Sequence, residues 1–187
     1  MYKCEVCGIQ VQPGSRGRKP RFCGTRCRVK SHRGHHIPVE LRQRGRWIRH
    51  SRKVPITVTG QPASSTNPLT WSDYQTASAA TAGDGLGFVL NGDGIVCIDL
   101  DHCFDGRPSP EAQAVIDSLP ETYIEVSPSG TGLHIWGYAD LAKGRPFSRN
   151  GLSVEIYPNG RYITVTGKAL QRSGFAHLDL SHLLAKS

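Results

Sequence analysis

The 187-residue sequence predicts an α+β domain preceded by a small zinc-finger module. Three observations predict it. Two cysteine pairs crowd into the first 27 residues and lead into a cation-rich stretch. Beyond residue 37, short β-branched runs punctuated by glycine and proline turns interleave with a few helical patterns, as where hairpin-paired strands carry separate helices. Finally, Asp99, Asp101, His134 and Glu155 occupy alternate positions in otherwise apolar strands, a placement the fold itself does not need.

Cys4, Cys7, Cys23 and Cys27 form a C-x2-C, fifteen-residue gap, C-x3-C pattern. Four thiolates at this spacing close a tetrahedral zinc site, and Gly8 permits the turn after the first pair. No ligand position stays open, so the zinc is expected to be structural. A module of residues 1–36 is too small to fold on an apolar core, so the metal must supply most of its stability. The pattern resembles the small zinc proteins that inhibit gyrase and related C-x2-C-G…F-C-x3-C-R fingers. A basic helix is expected from Cys27 to Arg33. His32, His35 and His36 are read as solvated or phosphate-facing, since four cysteines already suffice for the metal. Gly34 and Pro38 mark the boundary to a second domain, 37–187.

Net charge is +8, unevenly spread. Residues 1–53 hold 15 Lys/Arg against Glu5 and Glu40, whereas residues 54–187 hold 8 against 13 Asp/Glu. A basic head suits a polyanion and an acidic body suits a metal-using site; the plainer alternative is a solubilising basic tail. No apolar run approaches the ~20 residues of a membrane span. The opening Met-Tyr-Lys-Cys-Glu lacks the apolar core of a signal peptide, so a cytoplasmic location is expected. There, six cysteines suggest metal or free thiols before disulfides.

In chain order, 39–42 can form a helical turn or two and 46–49 a strand, and a loop runs through 59–68. Thr70 is an N-cap for a helix over 71–81. Residues 86–90 read as a strand, and Asn91-Gly92-Asp93-Gly94 as the turn of a hairpin into the strand 95–101. In that strand Val96, Ile98 and Leu100 face one side and Asp99 and Asp101 the other. Cys97 is read as core packing and Cys103 as a loop thiol. Ser109-Pro110-Glu111 starts a helix whose stripe is Ala114, Val115, Ile116 and Leu119. Strands follow at 122–126, 133–137, 152–157 and 161–166, and a last helix at 177–186.

Asp99 and Asp101 on one strand face repel each other unless a cation lies between them. If the strand bearing Glu155 is a neighbour, three carboxylates share one cleft. Such a set suits two magnesium or manganese ions, about 3.5–4 Å apart, clamping the attacking and leaving oxygens of a phosphoryl displacement. The glycine- and serine-rich turn Ser127-Pro128-Ser129-Gly130-Thr131-Gly132 is suited to cradling phosphate through backbone N–H groups and hydroxyls. His134 can donate to a phosphate oxygen, and Lys53 and Arg161 are further phosphate candidates. Each feature also has a plain structural reading: a β-turn, a hydrogen-bonded histidine, or a Glu155–Arg161 pair.

Together, Val96–His102, Tyr123–His134, Val154–Tyr157 and Gly160–Gly167 resemble the three motifs of primase-polymerases of the archaeo-eukaryotic primase superfamily, above all bacteriophage and prophage forms. Trp47, Lys53-Val54-Pro55-Ile56 and Asn67-Pro68-Leu69-Thr70-Trp71 resemble the N-terminal portion of that group. The resemblance covers roughly residues 37–170. It implies a modified RNA-recognition-type palm with a small N-terminal α/β lobe, and template-dependent nucleotidyl transfer in phage or plasmid-type replication. Asp99, Asp101 and Glu155 are then metal ligands, and His134 contacts the incoming nucleotide. Implied partners are single-stranded DNA, nucleoside triphosphates and a separate replicative helicase, in a host cytoplasm if phage-encoded. Where much of the superfamily has Ser-x-His, this chain has Gly132-Leu133-His134, so the serine's task falls to Ser127, Ser129 or the backbone. Relatives often continue into a helical bundle and a helicase, so templated extension is expected ahead of de novo priming. Two rivals stand beside this reading: a metal-dependent nuclease or replication-initiator nickase, and a non-catalytic DNA-binding accessory.

Overall fold

A computed structural model describes residues 2–4, 9–11, 20, 22–28 and 36–185. Backbone packing divides the chain into one unit of residues 1–36 and another of 37–187. In the first, β1 (Tyr2–Lys3) pairs antiparallel with β2 (Gln10–Val11), and Cys4 N–H donates to Ile9 O at 2.8 Å. A helical turn at 25–28 carries Cys27. Cys7, Gly8, His32, His35 and the basic stretch 29–35 lie outside the described residues; His36 is exposed.

The second unit opens with α1 (Val39–Arg42), β3 (Trp47–Ser51), β4 (Val54–Ile56), a 3-10 turn (Pro68–Thr70) and α2 (Tyr74–Ala79). Next come β5 (Gly85–Asn91), β6 (Ile95–Asp101), α3 (Pro110–Asp117), β7 (Tyr123–Val126) and β8 (Leu133–Tyr138). The chain ends through β9 (Arg145–Arg149), β10 (Leu152–Tyr157), β11 (Asn159–Val165), β12 (Ala169–Gln171) and α4 (Ser181–Leu184). A six-stranded sheet has the order β12-β7-β8-β6-β10-β9 and a four-stranded sheet β11-β5-β3-β4, with all named pairings antiparallel. This is α+β architecture with little helix. No helix among the described residues is long and apolar enough to cross a membrane.

Two apolar cores make three layers. The first packs Val96, Ile98, Leu100, Ile135, Val154 and Ile156 of the larger sheet against Ala112 and Val115 of α3 and Leu178, Leu180 and Leu183. The second lies between the sheets, where Trp47, Phe88, Leu90 and Ile163 meet Ile95, Cys97, Tyr123 and Trp136. The Phe88 ring meets Trp136 edge-on, 6.0 Å between centroids, and also packs on Trp47 at 5.2 Å. Strand β6 is thus buried on both faces through Ile98 and emerges only at Asp99 and Asp101. Cys97 is core and Cys103 lies in a loop, both as expected, but Cys103 is buried. It packs in the first core with Sγ 3.4 Å from Leu100 O, and burial pushes its pKa up to about 11.

Several elements differ from the sequence reading. Helix α2 starts at Tyr74, because Asp73 Oδ1 accepts from Thr76 N at 2.8 Å and caps it. The Thr70 hydroxyl, expected to cap, donates instead within its own loop to Asn67 O at 2.8 Å. Asn91–Gly94 does not close a hairpin: β5 pairs with β3 and β11, so the turn carries the chain from one layer to the next. The reason is packing, since Phe88 and Leu90 have to face Ile95 and Cys97. Pro158 does the same between β10 and β11. Val115, Ile116 and Leu119 pack on the core as expected, but Ala114 is exposed and Ala112 takes its place. Residues 177–180 are not helical, though Leu178 and Leu180 are both buried in the core, and only 181–184 forms a helix. Arg145 and Arg149 of β9 donate to the Leu184 and His182 carbonyls of that last turn.

Candidate active site

Antiparallel register assembles the predicted polar residues from three different strands. Glu155 of β10 lies directly opposite Asp99 of β6, and Asp99 directly opposite His134 of β8. His134 in turn is opposite Glu125 of β7. Directly opposed residues share a sheet face, so Glu125, His134, Asp99 and Glu155 form one row across four strands. Asp101 extends it at the strand end, opposite Ser153. The four-stranded sheet covers this face at Ile95 and Cys97 but not beyond, which leaves Asp99 part-exposed and Asp101 open.

His134 is buried between two acids, with Nδ1 3.3 Å from Glu125 Oε1 and Nε2 3.6 Å from Asp99 Oδ1. Burial disfavours the charged ring. The hydrogen bond to Glu125 and the charges of Asp99, Glu125 and Asp101 outweigh it and raise the His134 pKa. Burial also raises that of Asp99, with Asp101 and Glu155 adding to it while His134 and Lys53 oppose. Among the described residues, only the sulfurs of Cys4, Cys23 and Cys27 form a group of three ligand atoms within 4.8 Å of one another. Register fixes the strand spacing of the carboxylates, and like charges do not draw together unaided. A hard-oxygen set in which Asp101 and Glu155 add to the raised pKa of Asp99 fits a divalent cation.

The loop between β7 and β8 is tightly self-bonded. Gly132 N donates to Ser127 Oγ, Thr131 N to Ser129 Oγ and Gly130 N to Ser127 O. The expected cradle of free backbone N–H groups is therefore absent at these three positions, and the loop presents the exposed hydroxyls of Ser129 and Thr131, chained at 3.0 Å spacings to that of buried Ser127 behind them. Two glycines are required here. Gly130 has φ +80°, and a Cβ on Gly132 would meet Leu100 O at 2.6 Å. Arg161 lies over the Tyr157 ring, 4.7 Å from its centroid, rather than in a salt bridge with Glu155. Burial, then the hydrogen bond to Glu155 and its charge, raise the Tyr157 phenol pKa. Lys53 sits in the two-residue turn between β3 and β4, where its carbonyl accepts from Tyr162 Oη at 2.5 Å.

The residue missed from sequence is Glu125. It is fully buried, and its Oε2 accepts from Gly167 N at 2.7 Å and Thr166 N at 3.1 Å. The available signal was a glutamate two positions from Tyr123 in a short apolar strand, which reads as solvent-facing until a second sheet covers it.

In the first unit, Cys23 Sγ lies 3.4 Å from Cys27 Sγ, and buried Cys4 joins them. Three convergent thiolate donors fit zinc, with Cys7 outside the described residues.

Over 142 residues the chain is 39% identical to the DNA Primase-polymerase of Nitratiruptor phage NrS-1, a match covering 70% of this chain and 20% of that protein. The chain thus spans about a fifth of the length of the curated relative it matches. No family model matches it.

Proposed function

We propose that this chain, a homologue of a phage DNA primase-polymerase, is itself a nucleotidyltransferase of the archaeo-eukaryotic primase superfamily that joins nucleotides on a DNA template. The observation that carries the reading is the single row Glu125–His134–Asp99–Glu155 across β7, β8, β6 and β10. On this reading the six-stranded sheet is the palm and residues 37–187 the catalytic domain. Asp99, Asp101 and Glu155 would hold two magnesium or manganese ions, which supply charge neutralisation and activation of the attacking 3′-hydroxyl. His134 turns Nε2 toward the site, where it can donate to the nucleotide triphosphate. The hydroxyls of Ser127 and Ser129, on a turn made tight by Gly130 and Gly132, would meet a phosphate. So would the Lys53 ammonium and the Arg161 guanidinium. A cavity of about 460 Å³ lined by His102, Phe104, Arg107, Ser109 and Thr131 gives further room beside the strand end.

Residues 1–36 would be a Cys4 zinc finger formed by Cys4, Cys7, Cys23 and Cys27, gripping single-stranded DNA. A separate replicative helicase would open the duplex in the host cytoplasm. The nickase alternative needs a second metal-facing histidine at position 136. That residue is Trp136, fully buried in the core between the sheets.

Primer extension on single-stranded DNA with Mg²⁺ or Mn²⁺ tests the reading. Asp99→Ala is expected to abolish extension, a loss of at least ~10³-fold. Unchanged activity would remove the row from catalysis. Running NTPs against dNTPs in the same assay reads which sugar is used.

A further inference from the structure

We propose that Glu125 is a positioning residue for His134, receiving Nδ1–H on Oε1 and thereby holding the ring with Nε2 turned to Asp99; this rests on the polymerising reading above. The two carboxylate oxygens divide the work. Oε2 takes the N–H groups of Gly167 at 2.7 Å and Thr166 at 3.1 Å and the Tyr123 hydroxyl at 3.2 Å. The Thr166 hydroxyl lies 3.3 Å from the same oxygen but 2.7 Å from Val126 O, which takes its one hydrogen. Three donors from β7 and the β11–β12 connection therefore fix the plane of the carboxylate. Among the described residues Oε1 has one partner, His134 Nδ1 at 3.3 Å. An acceptor-only carboxylate makes Nδ1 a donor and fixes one ring orientation, and in the protonated ring Nε2–H then points at Asp99 and the site. A histidine held this way reaches the nucleotide without first choosing a rotamer, the advantage preorganisation gives a polar contact.

The plainer role for Glu125 is a seam joining the two sheets through residues 166 and 167. Glu125→Gln separates the two. Two backbone N–H groups require an acceptor at Oε2, so the carbamoyl oxygen goes there and the seam survives. The NH₂ then faces Nδ1 and reverses the polarity of that contact.

The experiment measures kcat and KM for the nucleotide in primer extension by the full chain. It compares wild type, Glu125→Gln, His134→Ala and the double variant, below the melting transition of each. Glu125→Gln is expected to melt close to wild type yet lose about tenfold or more in kcat/KM. The double variant is expected to be no worse than His134→Ala. Losses that multiply, or wild-type kcat/KM in Glu125→Gln, overturn the proposal. If Glu125→Gln melts below the assay temperature, ¹⁵N-histidine NMR of the wild type decides, with the His134 signals identified by their loss in His134→Ala. A protonated Nδ1 sustains the proposal and a bare one sinks it. Asp99→Ala runs alongside: if it still extends primers, the polymerising reading falls. If it is inactive while Glu125→Gln matches wild type, only the role of Glu125 falls.

Discussion

At the scale of single residues, buried charge decides which side chains matter, and its partners are rarely close in sequence. Asp93 shows this outside the row of Glu125, His134, Asp99 and Glu155. It looks like ordinary turn chemistry in Asn91-Gly92-Asp93-Gly94, yet it accepts from the guanidinium of buried Arg46 at 3.1 Å and from Arg44 at 3.2 Å. Arg46 also lies over the Phe88 ring at 4.8 Å. Burial works against the Asp93 carboxylate, but the hydrogen bond and charge of Arg46 outweigh it and lower its pKa. A lowered carboxylate pKa contributes stability above its unfolded value, about 3.9, and the contribution fades as pH falls through the folded value. Asp93→Asn should therefore cost about 1–2 kcal/mol at pH 7, discounted for partial exposure. Urea titrations from pH 7 downward should show the gap closing below about pH 4. A gap independent of pH would mean that the ion pair contributes nothing. The same contrast separates what could be read in the row. Asp99 and Asp101 stand out because alternation in one short strand displays them. The partner of Glu125 is nine residues away and its cover comes from another sheet, so no local pattern marks it.

At the scale of elements, the sequence reading succeeded where alternation or caps were strong and failed where packing chose between equal options. Strands β6, β8 and β10 and the start of α3 at Ser109-Pro110 were legible. Strands β9 and β12 were not, being short and polar at one or more positions. The turn at 91–94 reads as a hairpin turn but crosses between layers, because turn chemistry says nothing about which sheet the next strand joins. The β3–β4 hairpin carries a further lesson. Its two-residue turn puts Arg52 at φ 46° and Lys53 at φ 65°, where hairpins prefer Asn-Gly. Asp84 Oδ2 accepts from Arg52 N, and Tyr162 donates to Lys53 O, each at 2.5 Å, so neighbours hold the strained turn. Arg52→Asn should thus stabilise the fold by about 0.5–1 kcal/mol with extension unchanged. Lys53→Gly should stabilise similarly but slow extension, since it deletes the cation that lowers the Asp99 pKa. Denaturant midpoints and extension rates on both variants check the split. Equal rates would place Lys53 outside the site.

At the scale of the whole molecule, charge and metal chemistry are segregated along the chain rather than mixed. Residues 54–187 carry the acids of the row and a net negative charge, whereas residues 1–53 hold 15 of the 23 Lys/Arg. An acidic domain repels a polyanion wherever a cation does not intervene, so on the proposed function template binding has to draw on positive charge from elsewhere. The first unit is the obvious source: a cysteine-clustered module whose neighbouring sequence is rich in arginine and lysine. Its contribution has a signature that an assay of affinity at one salt concentration would miss. Each phosphate contact to a single strand adds about 0.7 to the slope of log affinity against log salt. Removing residues 1–36 and losing three such contacts should flatten that slope by about 2, with the loss of affinity largest at low salt. Fluorescence anisotropy of a labelled single-stranded oligonucleotide across a salt series reads both quantities for the full chain and the truncated one. Extension by the truncated chain at saturating template should survive, because the row and its loop lie wholly within 37–187. An unchanged slope would assign the cysteine module to a protein partner instead, and the arginines of 42–52 would then have to carry the template alone.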